Sequence, residues 1–165
     1  MNKLKHAIRF LCDTYPHKHE LSNARLTKMV YLADWKSAVL YGKQITNIEW
    51  YFDNFGPFVF DVVNTARDDD YMFVREDRTP YGTNKTLIGA QETDKADGKS
   101  YDLSENELAM LRAVIEDTKS MYWNDFISYV YSTFPVVNNN RYTTLDLVEQ
   151  AALAGKQGNH TSHIR

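Results

Sequence analysis

Arg25-Leu-Thr-Lys-Met-Val-Tyr-Leu-Ala-Asp-Trp35, followed across Tyr41-Gly42 by Ile48-Glu-Trp-Tyr-Phe-Asp-Asn-Phe-Gly-Pro-Phe58, decides the fold of this 165-residue chain. In the first part, Leu26, Val30, Ala33 and Leu40 recur at helical spacing, and Met29 and Leu32 widen that apolar face. Ser22 stands before it as a cap, with Leu21 and Leu26 placed to pack across the helix start. Gly42 follows the last turn, where glycine closes helices in left-handed backbone. A helix over 23–41 is the expectation. Ile48, Trp50 and Phe52 then alternate with Glu49, Tyr51 and Asp53, the period of a half-buried strand. Gly56-Pro57 reads as a helix start, with Pro57 in the first turn and Phe55 facing Phe60, so a third helix is expected over 57–67.

The flanking sequence extends the helical pattern. Leu4, Ile8, Leu11 and Tyr15 form one stripe over 3–14, closed by Tyr15-Pro16. Met72 to Arg75 and Thr86 to Gly89 read as short strands around a polar tip, expected to pair beside the aromatic strand. Residues 91–100 are polar and aperiodic, the pattern of a loop. Ser104 and Glu107 make a capping box, with Leu103 and Leu108 on either side, for a helix over 105–118. Trp123, Phe126, Ile127, Val130 and Phe134 give 122–134 an apolar face, and Pro135 stops it. Thr143, between Tyr142 and Leu147, opens a last helix over 144–154 with Leu145, Val148 and Ala152 inward. The expectation is one compact α+β domain, mainly α, over 1–154, with a small hairpin or three-stranded element and a flexible C-terminal tail over 155–165. A winged helix is the alternative arrangement.

A hydrophobic share of 43% and a charged share of 25% are those of a globular protein. No apolar run is long enough for a membrane-spanning helix, and the first residues lack the core of a secretion signal. Cys12 stands alone, which excludes an internal disulfide and fits a reducing compartment, so a cytoplasmic address is expected. The net charge of −3 is uneven, +5 over residues 1–43 and −8 over 44–165. Such a dipolar chain can steer charged partners.

Candidate chemistry is sparse. His17 and His19 flank Lys18, but Asp13 and Glu20 do not complete a metal pattern around them. No phosphate-binding glycine loop or nucleophile motif occurs, so no catalytic, cofactor or metal residue is assigned. Asp68-Asp69-Asp70 reads either as an acidic contact for a basic partner or as a hydrated turn at a helix end. Tyr31 and Trp35, one turn apart, read either as core or as the rim of a docking groove with Lys28 and Asp34 alongside. The candidate partner contacts are Tyr31, Trp35, Trp50, Tyr51, Asp68, Asp69 and Asp70. Gly42, Gly56 and Pro57 are read as scaffold.

Three linked parts resemble the Panacea domain family of SocA-like antitoxins. They are Lys28-Met-Val-Tyr-Leu-Ala-Asp34 continued by Trp35, then Tyr41-Gly42, then Trp50-Tyr-Phe-Asp-Asn-Phe-Gly-Pro57 leading into Phe58 and Val63. Phe58 stands where the family often has valine, and the 91–100 loop is not a family hallmark. The resemblance implies a non-enzymatic antitoxin encoded beside its toxin and neutralising it by direct binding, or, as in the SocA branch, delivering it to a protease. A second reading is a winged-helix DNA-binding regulator of its own operon, with Arg25, Lys28, Lys36 and Lys43 on phosphates.

Overall fold

The computed structural model of the chain describes residues 2–91 and 100–157. Its elements are α1 (Lys3–Thr14), α2 (Asn23–Tyr41), β1 (Trp50–Asp53), β2 (Gly56–Pro57), α3 (Asp61–Arg67), β3 (Met72–Arg78), β4 (Asn84–Ala90), α4 (Glu105–Thr118), α5 (Trp123–Tyr131), α6 (Phe134–Val137), β5 (Thr144–Leu145) and α7 (Leu147–Lys156). The chain is a mainly helical α+β protein, as expected. Most of the 91–100 stretch, and residues 158–165 of the expected tail, lie outside the described residues; Gly155 and Lys156, expected in the tail, belong to the last turn of α7.

α2 is the axis of the fold. It starts at Ser22, whose hydroxyl accepts from the Arg25 amide at 3.1 Å. It ends at Gly42, whose φ of +70° lets its amide reach Ala38 O at 3.0 Å. Every side chain from Arg25 to Trp35 is buried, because α1, α3, α4 and α7 surround the helix. A helix buried all round has no single apolar stripe to read. Leu40, expected inward, is instead exposed on the last turn beyond the packed neighbours. One apolar cluster runs from Ala7 and Leu11 through Leu26, Val30 and Trp50 to Leu111, Val130 and Leu147.

Two separate antiparallel sheets are present among the described residues, one ordered β2-β1-β5 and one formed by β3 and β4. The β3–β4 hairpin is longer than expected and does not lie beside β1. It joins the chain leading into α2 through a Ser22–Leu87 bridge and the Ile88 amide, which donates to Leu21 O at 3.0 Å. The third strand beside β1 is Thr144–Leu145, paired with Tyr51 and Trp50.

Three expected boundaries move for related reasons. Gly56-Pro57 does not open a helix: both residues pair with β1, and α3 begins at Asp61. A glycine–proline pair also suits the end of a tight hairpin, since Gly56 takes φ +101° and Pro57 needs no ladder donor at an edge. Phe55 and Phe60 therefore do not staple a helix start; both face solvent. Thr143 is not the last cap. Asp146 is, accepting from the Glu149 amide at 3.0 Å, and Val148 consequently turns outward. Pro135 does not stop α5, which ends at Tyr131; it sits in the first turn of α6.

Asp34 fixes the loop between α2 and β1. Its carboxylate accepts from the Ile45 and Thr46 amides at 2.9 and 3.0 Å, Thr46 Oγ1 at 2.6 Å, Trp50 Nε1 at 2.9 Å and Gln44 Nε2 at 3.3 Å. Burial pushes its pKa up to about 6, against the donors that favour the charged form. Through Trp50, the same carboxylate sets where β1 starts and hence where the hairpin tip beyond it points.

Candidate functional site

The expected contact residues separate into core and surface. Tyr31 and Trp35 are core residues: Tyr31 bonds Thr133 Oγ1 at 2.8 Å, and Trp35 stacks on Phe134 with ring centres 6.4 Å apart. Trp50 packs edge-on against Tyr31 and donates to Asp34. None of the three presents surface to a partner, because each completes the packing around α2. Tyr51, on the opposite side of β1, is exposed. Asp69 is buried by a two-pronged ion pair with Arg9, at 2.7 and 2.8 Å, which lowers its pKa. Asp68 and Asp70 stay exposed at the end of α3. Asp68 borders a polar depression with Asn2, Gln44 and Asn64, away from the aromatic residues described next.

The basic set considered for DNA does not assemble. Arg25 and Lys28 are buried, and Lys36 pairs with Asp117 at 2.9 Å, leaving Lys43 as the exposed member. Among the described residues no group of three or more His, Cys, Asp or Glu could hold a metal ion. Cys12 is buried against Ile88 O, and burial pushes its thiol up to about 12. No helix among them is long and apolar enough to cross a membrane.

The feature that does assemble is an aromatic face built on the β1–β2 hairpin and α5. Asn54 and Phe55 form the hairpin tip, and Phe55 is 77% exposed. The tip is clamped from the segment before β5. Arg141 Nε donates to Asn54 O at 3.0 Å, and the Tyr142 hydroxyl donates to Asn54 Oδ1. Tyr142 holds φ +68°, a left-handed conformation unusual for tyrosine, while its amide donates to Phe52 O. Beside the tip, Phe58 meets the exposed Phe60 edge-on with centres 5.3 Å apart. Tyr122 and Trp123 lie exposed at the start of α5, facing a cavity they share with Phe58.

Between the tip and α5 lies a cavity of about 600 Å³ lined by Ala24, Phe55, Phe58, Trp123, Ile127 and Tyr131. Lys28 borders it with only 2% of its surface exposed, and its Nζ sits 5.6 Å from the centre of the Phe58 ring. Among the described residues Lys28 has no hydrogen bond and no carboxylate within 4.0 Å. Burial pushes its pKa down to about 8, with Asp53 acting the other way. Gly56 sits tight against the wall of the cavity: a Cβ there would stand 3.2 Å from Tyr131 Cε1, closer than ordinary contact, and 3.6 Å from Lys28 Cε.

Sequence reasoning placed Lys28 beside a groove and Trp123 inward, and it missed this cavity. Its signal was a lysine in the middle of an otherwise apolar helix, together with phenylalanines on both sides of Gly56-Pro57.

Fold and face together define a small, mainly helical α+β protein that displays exposed aromatic side chains around a concave site. Over residues 26–134 the chain matches the family model described as antitoxin SocA-like, Panacea domain, and it belongs to that family. No curated protein and no solved structure matches it.

Proposed function

We propose that this protein is an antitoxin that neutralises a co-encoded toxin by binding it directly, and that the aromatic face is where the toxin docks. Family membership supports the class of function. The observation that carries the docking face is Phe55, exposed on a tip held by Arg141 and Tyr142. A backbone turn fixed in advance loses less conformational freedom on binding, so the residue it presents contributes more net affinity than one on a mobile loop. Aromatic residues of this kind dominate interface energetics, and Phe60, Tyr122 and Trp123 extend the patch. The chemistry is occlusion of the toxin, with no bond made or broken by this chain. Exposed Tyr51 stands next along β1 to Phe52, whose main chain Tyr142 and Thr143 hold, and its carbonyl accepts from the Phe58 amide at 3.0 Å.

Co-expression with the adjacent reading frame tests the reading. The neighbour alone is expected to arrest growth, and the pair to grow normally. Phe55→Ser with Trp123→Ser is expected to abolish protection while the protein stays folded at 37 °C, since Phe55 is largely exposed and Trp123, packed on Phe126, is nearly half exposed. A harmless neighbour, or protection unchanged in the double variant, defeats it. Protection that persists in a host lacking ATP-dependent proteases marks occlusion, and protection lost there marks delivery for degradation.

A further inference from the structure

Lys28 is accommodated at a loss. Its side chain is almost wholly buried, and the only carboxylate beside it in the cavity, Asp53, forms no ion pair with it, so a methionine of similar length would fill the same space at less cost. The neighbouring cation repeats the pattern. Arg25, one helical turn earlier, donates only to neutral oxygens, the Tyr15 hydroxyl and the Thr118 and Met121 carbonyls, each at 2.9 Å. Its Nε is buried with no partner. Arg25 borders a second cavity, of about 780 Å³, that shares Ala24, Phe58 and Trp123 with the first. The other charged groups facing these spaces are Glu20 and Lys85 in one and Asp53 in the other. Glu20 is engaged by the Tyr15 hydroxyl at 3.0 Å, and Asp53 forms no ion pair among the described residues. Both cavities also lie against the first turns of α2, the positive end of a 19-residue helix dipole.

Three cations, Lys28, Arg25 and Lys85, thus face these spaces against two carboxylates, neither of them ion-paired to Lys28 or Arg25, and the walls are aromatic. Resting on the antitoxin reading, we infer that this site receives an acidic residue of the toxin, an Asp or Glu flanked by apolar side chains in a continuous segment. The carboxylate meets Lys28, and the flanking side chains lie on Phe55, Phe58 and Trp123. A carboxylate and an ammonium both shielded from water attract far more strongly than the same pair at the surface. Adjoining cavities on either side of Phe58 suit a segment that passes through rather than a chain end. Glu20 and Asp53 at the borders disfavour a polyphosphate backbone in the same place.

The full-length protein, with its lysines and tryptophans isotopically labelled, is titrated with acetyl-Leu-Glu-Leu-amide, its Gln analogue, acetyl-Leu-Leu with a free terminal carboxylate, and an eight-residue thymidine oligonucleotide. Only the Glu peptide is expected to shift Lys28 and Trp123 together, binding at least tenfold more tightly than the Gln peptide. Lys28→Met is expected to erase that ratio while keeping or raising Tm. Equal binding of the Glu and Gln peptides, a ratio that survives Lys28→Met, or stronger binding of the chain-end peptide or the oligonucleotide overturns the inference. Should Lys28→Met not fold, the ratio measured on the wild type decides alone. In parallel, the adjacent reading frame's product is co-purified with wild type and variant. No complex with the wild type counts against the antitoxin reading, while the peptide ratio still judges the site.

Discussion

Asp34 and Lys28 are buried charges on the same helix, and the fold treats them in opposite ways. Asp34 is surrounded by donors from the 44–50 segment, so Asp34→Ala orphans the Trp50 indole, the Thr46 hydroxyl and two amides at once. The expected loss is about 3 kcal/mol or more, measured by urea unfolding. Lys28 has no such shell, and Lys28→Met is expected to stabilise the protein by about 1–2 kcal/mol at pH 7. The sign with pH follows from a folded pKa of about 8, depressed from 10.5 by burial. Between those values the unfolded chain holds the proton that the native state has released, so wild-type stability rises with pH there. The advantage of the methionine variant should shrink across the same window. Stability curves that stay parallel from pH 7 to pH 10 would show that Lys28 is solvated. Polarity could not distinguish these two residues in the sequence. Asp34 depends on donors ten or more residues downstream, and Lys28 on a tip and a helix that only tertiary structure brings beside it.

The β1–β2 hairpin is the element on which the proposed face depends, and Gly56 is its least replaceable residue. Gly56→Val forces a β-branched side chain into φ +101° and against Tyr131. A loss of about 2–4 kcal/mol is expected, with toxin binding falling only as far as folding does. A variant with wild-type Tm that no longer binds would show instead that Gly56 is part of the contact. Helices α1, α2 and α4 were legible in full, because Ser22, Gly42 and the Ser104–Glu107 box state their ends in local chemistry. The hairpin was not, since Gly-Pro satisfies a helix start and a strand end equally well. Nor was β5, because two residues show no period. Trp123 was read as core on the strength of spacing alone, whereas α5 is short enough that its first turn projects past the packed neighbours.

At the scale of the molecule, α1 is tied to its surroundings by two ion pairs, Arg9–Asp69 to the end of α3 and Lys3–Glu107 to α4. The Arg9 guanidinium holds Asp69 below its ordinary value. Burial raises Glu107, but Lys3 and the Ser104 amide outweigh it, and its pKa also falls. Carboxyls depressed in the native state contribute stability that is full above their unfolded values near 4 and is lost as pH falls through the folded ones. Acid unfolding should therefore begin below about pH 4, and Asp69→Asn should flatten that limb while lowering stability at pH 7. An unchanged acid limb in Asp69→Asn would remove the Arg9 pair from the account. The sheet has a different consequence. β1 draws one neighbour from the next turn of chain and the other from Thr144–Leu145, so the Phe52 amide and carbonyl wait for Thr143 and Tyr142. During synthesis, the clamp on Phe55 closes only after those late residues have left the ribosome. Chains that end before residue 141 consequently carry the aromatic tip without its brace.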